Sequence, residues 1–383
     1  MTRLRRLLAN PWLRWLIPLI LLVVLLAMFR DQLPFLGEGL RRLAGAHPGG
    51  VALTVIAAVL SLLAMAEVMR LLMHAGGVGV PRRETGAITL ASNSWSTTLP
   101  GGPAFSAILT FQIQRSWGAS VLLCSWFFAL SSAISTMWLV LIGFAAVIFL
   151  GATVNIWSLL VTFLATLALT WSVYWITGRP RLLERWVRTL LPHLNRLLRR
   201  DPGSGLTAAL RQVRQLDTVR LSGGRFLLVA THSLLNRVLD IMALWACVWA
   251  VTGVLPGLTA VPDHTTLMGV VLAYVTAKLA GSAQVTPAGL GTVEAAIIAT
   301  LVATGMTAVD ATGVAIVYRL ISFALITIVG WVIYFLHYAR RGTRPRDFAD
   351  QAGGAAGTEP VLEGVTAEGL DSPVSEHPRE GKQ

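Results

Sequence analysis

Asn236, Arg237, Asp240, Lys278, Glu294 and Arg319 sit in stretches that are otherwise apolar. An ionisable group at the centre of a bilayer costs at least ~2.5–3.5 kcal/mol, so each of these needs a partner or a ligand. Arg237 and Asp240 are three residues apart and share one helix face, as do Glu67 and Arg70. For Glu67 and Arg70, simple local pairing is the better reading, because Arg70 lies near the end of its apolar run and can reach the interface. Arg237, Lys278 and Arg319 against Glu294 leave a surplus of positive charge, which suits an anionic group such as a lipid phosphate. Arg237, Lys278 and Arg319 are therefore the expected anion contacts. Glu294 and Asp240, with Asn236 beside them, are expected to balance charge or carry a coupling proton.

Two breaks in the apolar pattern must position these groups. Leu99-Pro100-Gly101-Gly102 and Thr286-Pro287-Ala288-Gly289 recur 187 residues apart. Inside hydrocarbon a helix can stop at mid-depth only where protein or a water-filled cavity covers its broken end. Paired breaks in two halves of a chain point to a transporter's binding site at the repeat interface. Proline opens the following half-helix well, since its missing N–H would be unpaired there anyway. Helices that begin at such breaks aim free N–H groups and positive dipole ends at the same depth. Pro100, Gly101, Gly102, Pro287, Gly289 and Gly291 join the expected substrate site on that ground.

Nothing in the sequence assembles an enzyme. The histidines at 47, 74, 193, 232, 264, 337 and 377 are scattered without metal-ligand spacing. Ser282 and Ser322 have no evident base, and no phosphate-binding loop with a lysine occurs. Cys124 and Cys247 lie in apolar segments, which suggests no disulfide framework. No catalytic role, metal or cofactor is expected.

The elements that carry these residues follow from composition. With 55% hydrophobic and only 13% charged residues in 383, the chain reads as an all-α polytopic membrane protein. Apolar runs predict six full crossings, near 11–29, 51–72, 119–149, 155–177, 223–254 and 308–337. Two broken, re-entrant hairpins are predicted near 84–116 and 266–304. The runs 119–149 and 223–254 exceed the roughly 20 residues that span ~30 Å of hydrocarbon, so tilt or a bend is expected, with Ser131, Ser132 and Ser135 marking either a bend or close packing. Arginines ahead of the first run, with no small-residue cleavage pattern after it, suggest an uncleaved signal anchor.

Lys and Arg accumulate on the cytoplasmic side of short loops, and an N-in, C-in topology puts all but Arg30, Arg41 and Arg42 of the flanking arginines there. Three crossings then separate the two breaks, so they open from opposite sides as an inverted repeat. At an offset of 187, Pro100, Gly102, Gly118, Ser135 and Gly143 meet Pro287, Gly289, Gly305, Ser322 and Gly330. Only Lys278 and Lys382 are lysine, a bias that with abundant Ala, Gly, Val and Leu suggests a GC-rich bacterial genome and hence a bacterial plasma membrane.

Residues 1–340 read as one integral membrane domain. Within it, residues 178–225 hold eleven arginines, with leucines and Trp186 at helical spacing, as expected of a cytoplasmic interfacial helix on anionic lipid. Basic cytoplasmic loops account for the +12 charge, so no nucleic-acid partner is expected. Residues 341–383 read as a disordered cytoplasmic tail.

Thr286-Pro287-Ala288-Gly289-Leu290-Gly291-Thr292-Val293-Glu294 resembles the Pro-Gly-Gly-Leu-Gly-x-x-Glu signature of the lysylphosphatidylglycerol synthase transmembrane-region family. Tyr318-Arg319-Leu320 and Ser322 follow it, and Asn236-Arg237-x-x-Asp240 is similar to the family's Arg-x-x-Asp element. In the first half Leu99-Pro100-Gly101-Gly102 fits, but Phe105 and Ser106 stand where the family has an acidic residue and an arginine nearby. Gln112 and Arg115 are the available substitutes, and Gln112 is included in the expected site. The resemblance, over roughly residues 10–340, implies a flippase-like protein that moves an amphipathic lipid between leaflets. Larger members carry a soluble aminoacyl-transferase domain, and none is read here, so lipid synthesis is not expected.

The leading expectation is translocation of an anionic phospholipid or lipid-linked glycan intermediate, with Glu294→Gln impairing transport more than folding. Alternatives are a secondary transporter of a small soluble anion and a non-transporting partner of an envelope-lipid synthase.

Overall fold

The computed structural model describes residues 41–99, 101–150, 222–282 and 289–339, with isolated positions between 161 and 189. Among them the fold is helical: α1 Pro48–Ala75, α2 Arg82–Thr98, α3 Gly102–Ser116, α4 Val121–Phe149, α5 Gly223–Thr252, α6 Leu267–Ser282, α7 Thr292–Ala303, α8 Ala308–Arg319 and α9 Ile326–Ile333. The last two belong to a single rod, Ala308–Tyr338, joined by a π-helical stretch at Leu320–Leu325. Four helices, α1, α4, α5 and the α8–α9 rod, are long and apolar enough to cross a membrane at 28, 29, 30 and 31 residues. At 1.5 Å per residue each exceeds 40 Å, so each crosses tilted or projects into the interface. These four match expected crossings. Those at 11–29 and 155–177, most of the 178–225 linker and the 341–383 tail lie outside the described residues, apart from isolated positions.

The two expected breaks separate helices too short to span. α2 and α3 have 17 and 15 residues and α6 and α7 have 16 and 12, against the roughly 20 a crossing requires. The first break shows why its glycines stand together. Gly101 turns into the left-handed region at φ 67°, which a side chain resists, and a Cβ on Gly102 would overlap the Ser96 carbonyl of the facing arm. Pro100 lies outside the described residues, as do Pro287 and Ala288 in the second break.

α1 and α5 form an antiparallel pair. Gly50 packs where a Cβ would lie 2.7 Å from the Ala250 backbone, and the His47 N–H donates to the Ala250 carbonyl at 2.7 Å. One apolar core joins Ala57 and Ala58 of α1 to α5, α6, α7 and α8. A second gathers the C-terminal half of α1 with α2, α3, α4 and the start of α5. Each hairpin is thus packed in its own core, with α1 and α5 running through both.

The hairpins also reach across. α2 packs on α9 through Ser94, whose hydroxyl donates to the Thr327 carbonyl at 2.9 Å, and through the Thr97 and Thr327 hydroxyls, also 2.9 Å apart. α6 packs on α4, where a Cβ on Gly143 would lie 3.2 Å from a Val275 methyl. At the α2–α9 crossing a Cβ on Gly330 would overlap Ser94 Oγ and crowd the Leu90 carbonyl. Gly330→Val is therefore expected to lower stability by about 1–3 kcal/mol. Gly143→Ala, facing only a movable methyl, should stay within about 1 kcal/mol of the parent protein. Thermal melting of the detergent-solubilised variants checks this, and equal melting points for the two would refute the tight α2–α9 crossing.

Register is shared between the halves. α4 and α8 begin at Val121 and Ala308, 187 residues apart, each capped by a hydroxyl: Ser120 accepts from the Leu123 N–H at 3.0 Å, Thr307 from the Asp310 N–H at 3.2 Å. Gly118 and Gly305, at the same offset, both take positive φ values, 89° and 104°, in the turns that precede these helices. Near the end of α1, Glu67 pairs locally with Arg70, whose Nε lies 2.9 Å from each carboxylate oxygen, and Arg82 approaches Glu67 Oε2 at 3.3 Å. This is the local pairing expected of Glu67 and Arg70.

Candidate functional site

A cavity of about 390 Å³ opens where α1, α2, α4, α5, α6, α7 and the α8–α9 rod face one another. Its lining includes Asn236, Arg237, Asp240, Lys278 and Arg319, five residues that stand up to 83 positions apart in sequence. Helical spacing explains part of this convergence. Asn236, Arg237 and Asp240 fall on one face of α5, while Tyr274 and Lys278 lie four apart on α6.

Asp240 is met by three side chains. Its Oδ1 accepts from Ser61 at 2.5 Å, and its Oδ2 faces Lys278 Nζ at 2.9 Å and the Tyr274 hydroxyl at 3.2 Å. Asn236 fixes α1 against α5 by donating to the Ser61 carbonyl at 2.9 Å and to its hydroxyl at 2.8 Å. Lys278 also stands over the Tyr274 ring, 5.3 Å from its centroid, a distance at which the ring face attracts the cation.

Arg237 differs from the other cations. It donates through Nη1 to the Tyr274 hydroxyl at 3.1 Å and through Nη2 to Ser135, and its buried Nε has no partner. Both partners are neutral, and no carboxylate among the described residues pairs with it. A guanidinium offers five N–H donors in a planar fork that matches a phosphate or carboxylate.

Arg319 and Glu294 have a different task. Arg319 Nε donates to Glu294 Oε1 at 2.7 Å and Nη2 donates to the Gly289 carbonyl at 3.1 Å. Glu294 Oε2 in turn accepts from the Gly291 N–H at 2.8 Å, the half of a capping box that a glycine N-cap permits. The side chains are only 9% and 13% exposed, and the Arg319 guanidinium lies 5.3 Å from the Phe323 ring. This pair ties the last apolar rod to the second break and holds the opening of α7. Gly289 and Gly291 contribute backbone groups to that clamp. Gly289 at φ 64° and Gly291 at φ 84° take a conformation that side chains resist.

The expected site residues of the first half are placed elsewhere. Gln112 is exposed on α3, Gly101 is exposed at the turn, and Gly102 is buried against Ser96. Among the described residues, the first hairpin reaches the cavity through Asn93 and Thr97 of α2. Sequence reasoning missed Tyr274, Ser61 and Ser135. The spacing of Tyr274 four residues before Lys278 was the available signal, and Ser135 already aligned with Ser322 at the offset of 187. Both of those serines line the cavity.

The match of a family model to residues 11–330 decides the assignment. The chain belongs to the lysylphosphatidylglycerol synthase TM region family. The match takes in both breaks, three of the four long helices whole and the fourth as far as Gly330, and every residue of the cavity. No curated protein matches the chain. Within this family assignment, the protein is a multi-pass membrane protein.

Proposed function

We propose that this protein translocates an anionic phospholipid or lipid-linked glycan intermediate between leaflets of the bacterial plasma membrane. The head group occupies the cavity and its phosphate is held by Arg237. The observation that carries this reading is Arg237 itself, a cavity-lining guanidinium with two neutral partners and an unpartnered Nε. A charge at this depth costs ~2.5–3.5 kcal/mol or more, and an anion that arrives there removes the penalty. Across the site, Arg237, Lys278 and Arg319 face Asp240 and Glu294, three positive charges against two negative. The family's description as the membrane region of a lipid-modifying synthase favours a lipid over a soluble anion.

The architecture that goes with this function is an inverted repeat of six crossings and two re-entrant hairpins, with both termini in the cytoplasm. It is supported by the shared register of Ser120 and Thr307, Gly118 and Gly305, and Gly143 and Gly330. It is also supported by the exchange of partners, α2 on the α8–α9 rod and α6 on α4. A site bounded by both hairpins is where alternating access places a substrate. The protein acts without a catalytic step of its own, and its neighbours in the membrane are anionic lipids.

The test is reconstitution in liposomes carrying head-group-labelled anionic lipids, read by the fraction of label that an impermeant quencher reaches. Exchange faster than in empty liposomes is expected. No exchange across phospholipid and glycan-linked classes would overturn lipid translocation. Uptake of a soluble anion would then favour a secondary transporter, and co-purification with a synthase would favour a non-transporting partner.

A further inference from the structure

We propose that the Tyr274 hydroxyl is a switchable ligand of the head-group anion, donating to Asp240 in the arrangement described and to the anion once Arg237 engages one. The proposal rests on Arg237 as the anion contact and adds a second residue that touches the ligand. A phenol carries one proton. Tyr274 accepts from Arg237 Nη1 at 3.1 Å, and its own proton points to Asp240 Oδ2 at 3.2 Å. That second distance is long for an O–H···O bond, whose usual range is about 2.5–3.0 Å, so the proton is loosely held.

Asp240 does not depend on it. With the phenol turned away, Asp240 keeps Ser61 on Oδ1 at 2.5 Å and Lys278 on Oδ2 at 2.9 Å, so neither oxygen is orphaned. An anion oxygen that accepts from Arg237 sits beside the phenol sharing that guanidinium, and it offers the phenol an ionised acceptor in exchange for the Asp240 carboxylate, so the charge-assisted character of the bond is kept. Tyr274 is almost fully buried yet lines the cavity, which fixes the ring and leaves the hydroxyl torsion as the moving part. Its position is fixed from two sides, by the guanidinium that delivers the anion and by the carboxylate it can release.

The experiment is calorimetric binding of dihexanoyl phosphatidylglycerol to the detergent-solubilised protein, with Tyr274→Phe, Ser61→Ala and Arg237→Ala beside the parent. Tyr274→Phe should weaken binding by about 10- to 100-fold. Ser61→Ala, which removes a donor from Asp240, should weaken binding far less than Tyr274→Phe, and Arg237→Ala should weaken it at least as much as Tyr274→Phe. Parent-like affinity in Tyr274→Phe with loss in Arg237→Ala would overturn this proposal and leave the anion site standing. Equal weakening in Ser61→Ala would place the effect on Asp240 and also overturn it. Parent-like binding in Arg237→Ala, or none in the parent, would remove the anion site and this proposal with it. Should Tyr274→Phe fail to fold, 3-fluorotyrosine at position 274, a stronger donor of nearly the same shape, decides the matter. It should tighten binding, and unchanged affinity would refute the switch.

Discussion

Arg319→Ala is expected to lower stability by about 3–5 kcal/mol, the loss that follows when one member of a buried ion pair is removed. The reason is local. Glu294 would keep only the Gly291 N–H, and the Gly289 carbonyl would lose its bond from Nη2, so both the charge balance and the second break would come apart. Pairing the substitution with Glu294→Gln separates charge from shape. The neutral amide oxygen still accepts from Gly291 without leaving a buried anion, so the double variant should recover a good part of the single variant's loss. A double-mutant cycle on melting in detergent should give a coupling of roughly 1–3 kcal/mol. Additive losses would show that the two residues act independently and would undo the clamp. This geometry also revises the weight placed on Glu294→Gln alone, which leaves Arg319 without its carboxylate and should reduce folded protein together with transport.

Arg237→Ala should behave in the opposite way. Translocation should fall by about 10- to 100-fold, the value of one hydrogen-bonding contact to a charged group. Melting should be unchanged or raised, because the deleted charge is held by hydrogen bonds to the neutral Tyr274 and Ser135 hydroxyls, with no carboxylate hydrogen-bonded to it among the described residues. Arg237→Lys keeps the charge but loses the planar fork, so it should retain part of the activity. Vesicle exchange and thermal melting on the same preparations check both halves of the statement. A variant that melts far below the parent protein would move Arg237 from the proposed substrate site to the structural core.

Much of this arrangement was legible in one dimension. Apolar runs marked the four long helices, because a segment that must satisfy its own backbone in hydrocarbon is obliged to be long, apolar and helical. The breaks were legible for the complementary reason. Only proline and glycine at Leu99-Pro100-Gly101-Gly102 and Thr286-Pro287-Ala288-Gly289 stop a helix there, and Gly101 and Gly289 take the backbone conformations that side chains resist. Local spacing also gave the Glu67–Arg70 pair, since three residues on a helix is already a spatial distance.

Spacing could not give the division of labour among the charges. Arg237, Lys278 and Arg319 are alike in sequence, each a cation in an apolar run, and were expected to share one ligand. The fold instead sets Arg319 on Glu294 across 25 residues and Lys278 on Asp240 across 38, while Arg237 meets two hydroxyls, one from α4 and one from α6. Composition and periodicity determined that the chain is a helical membrane protein with two broken segments and buried charge. Which cations pair with a carboxylate and which one meets only hydroxyls was decided by tertiary packing alone. Electrostatic pairing acts over a few ångströms between helices, and no sequence separation encodes that distance.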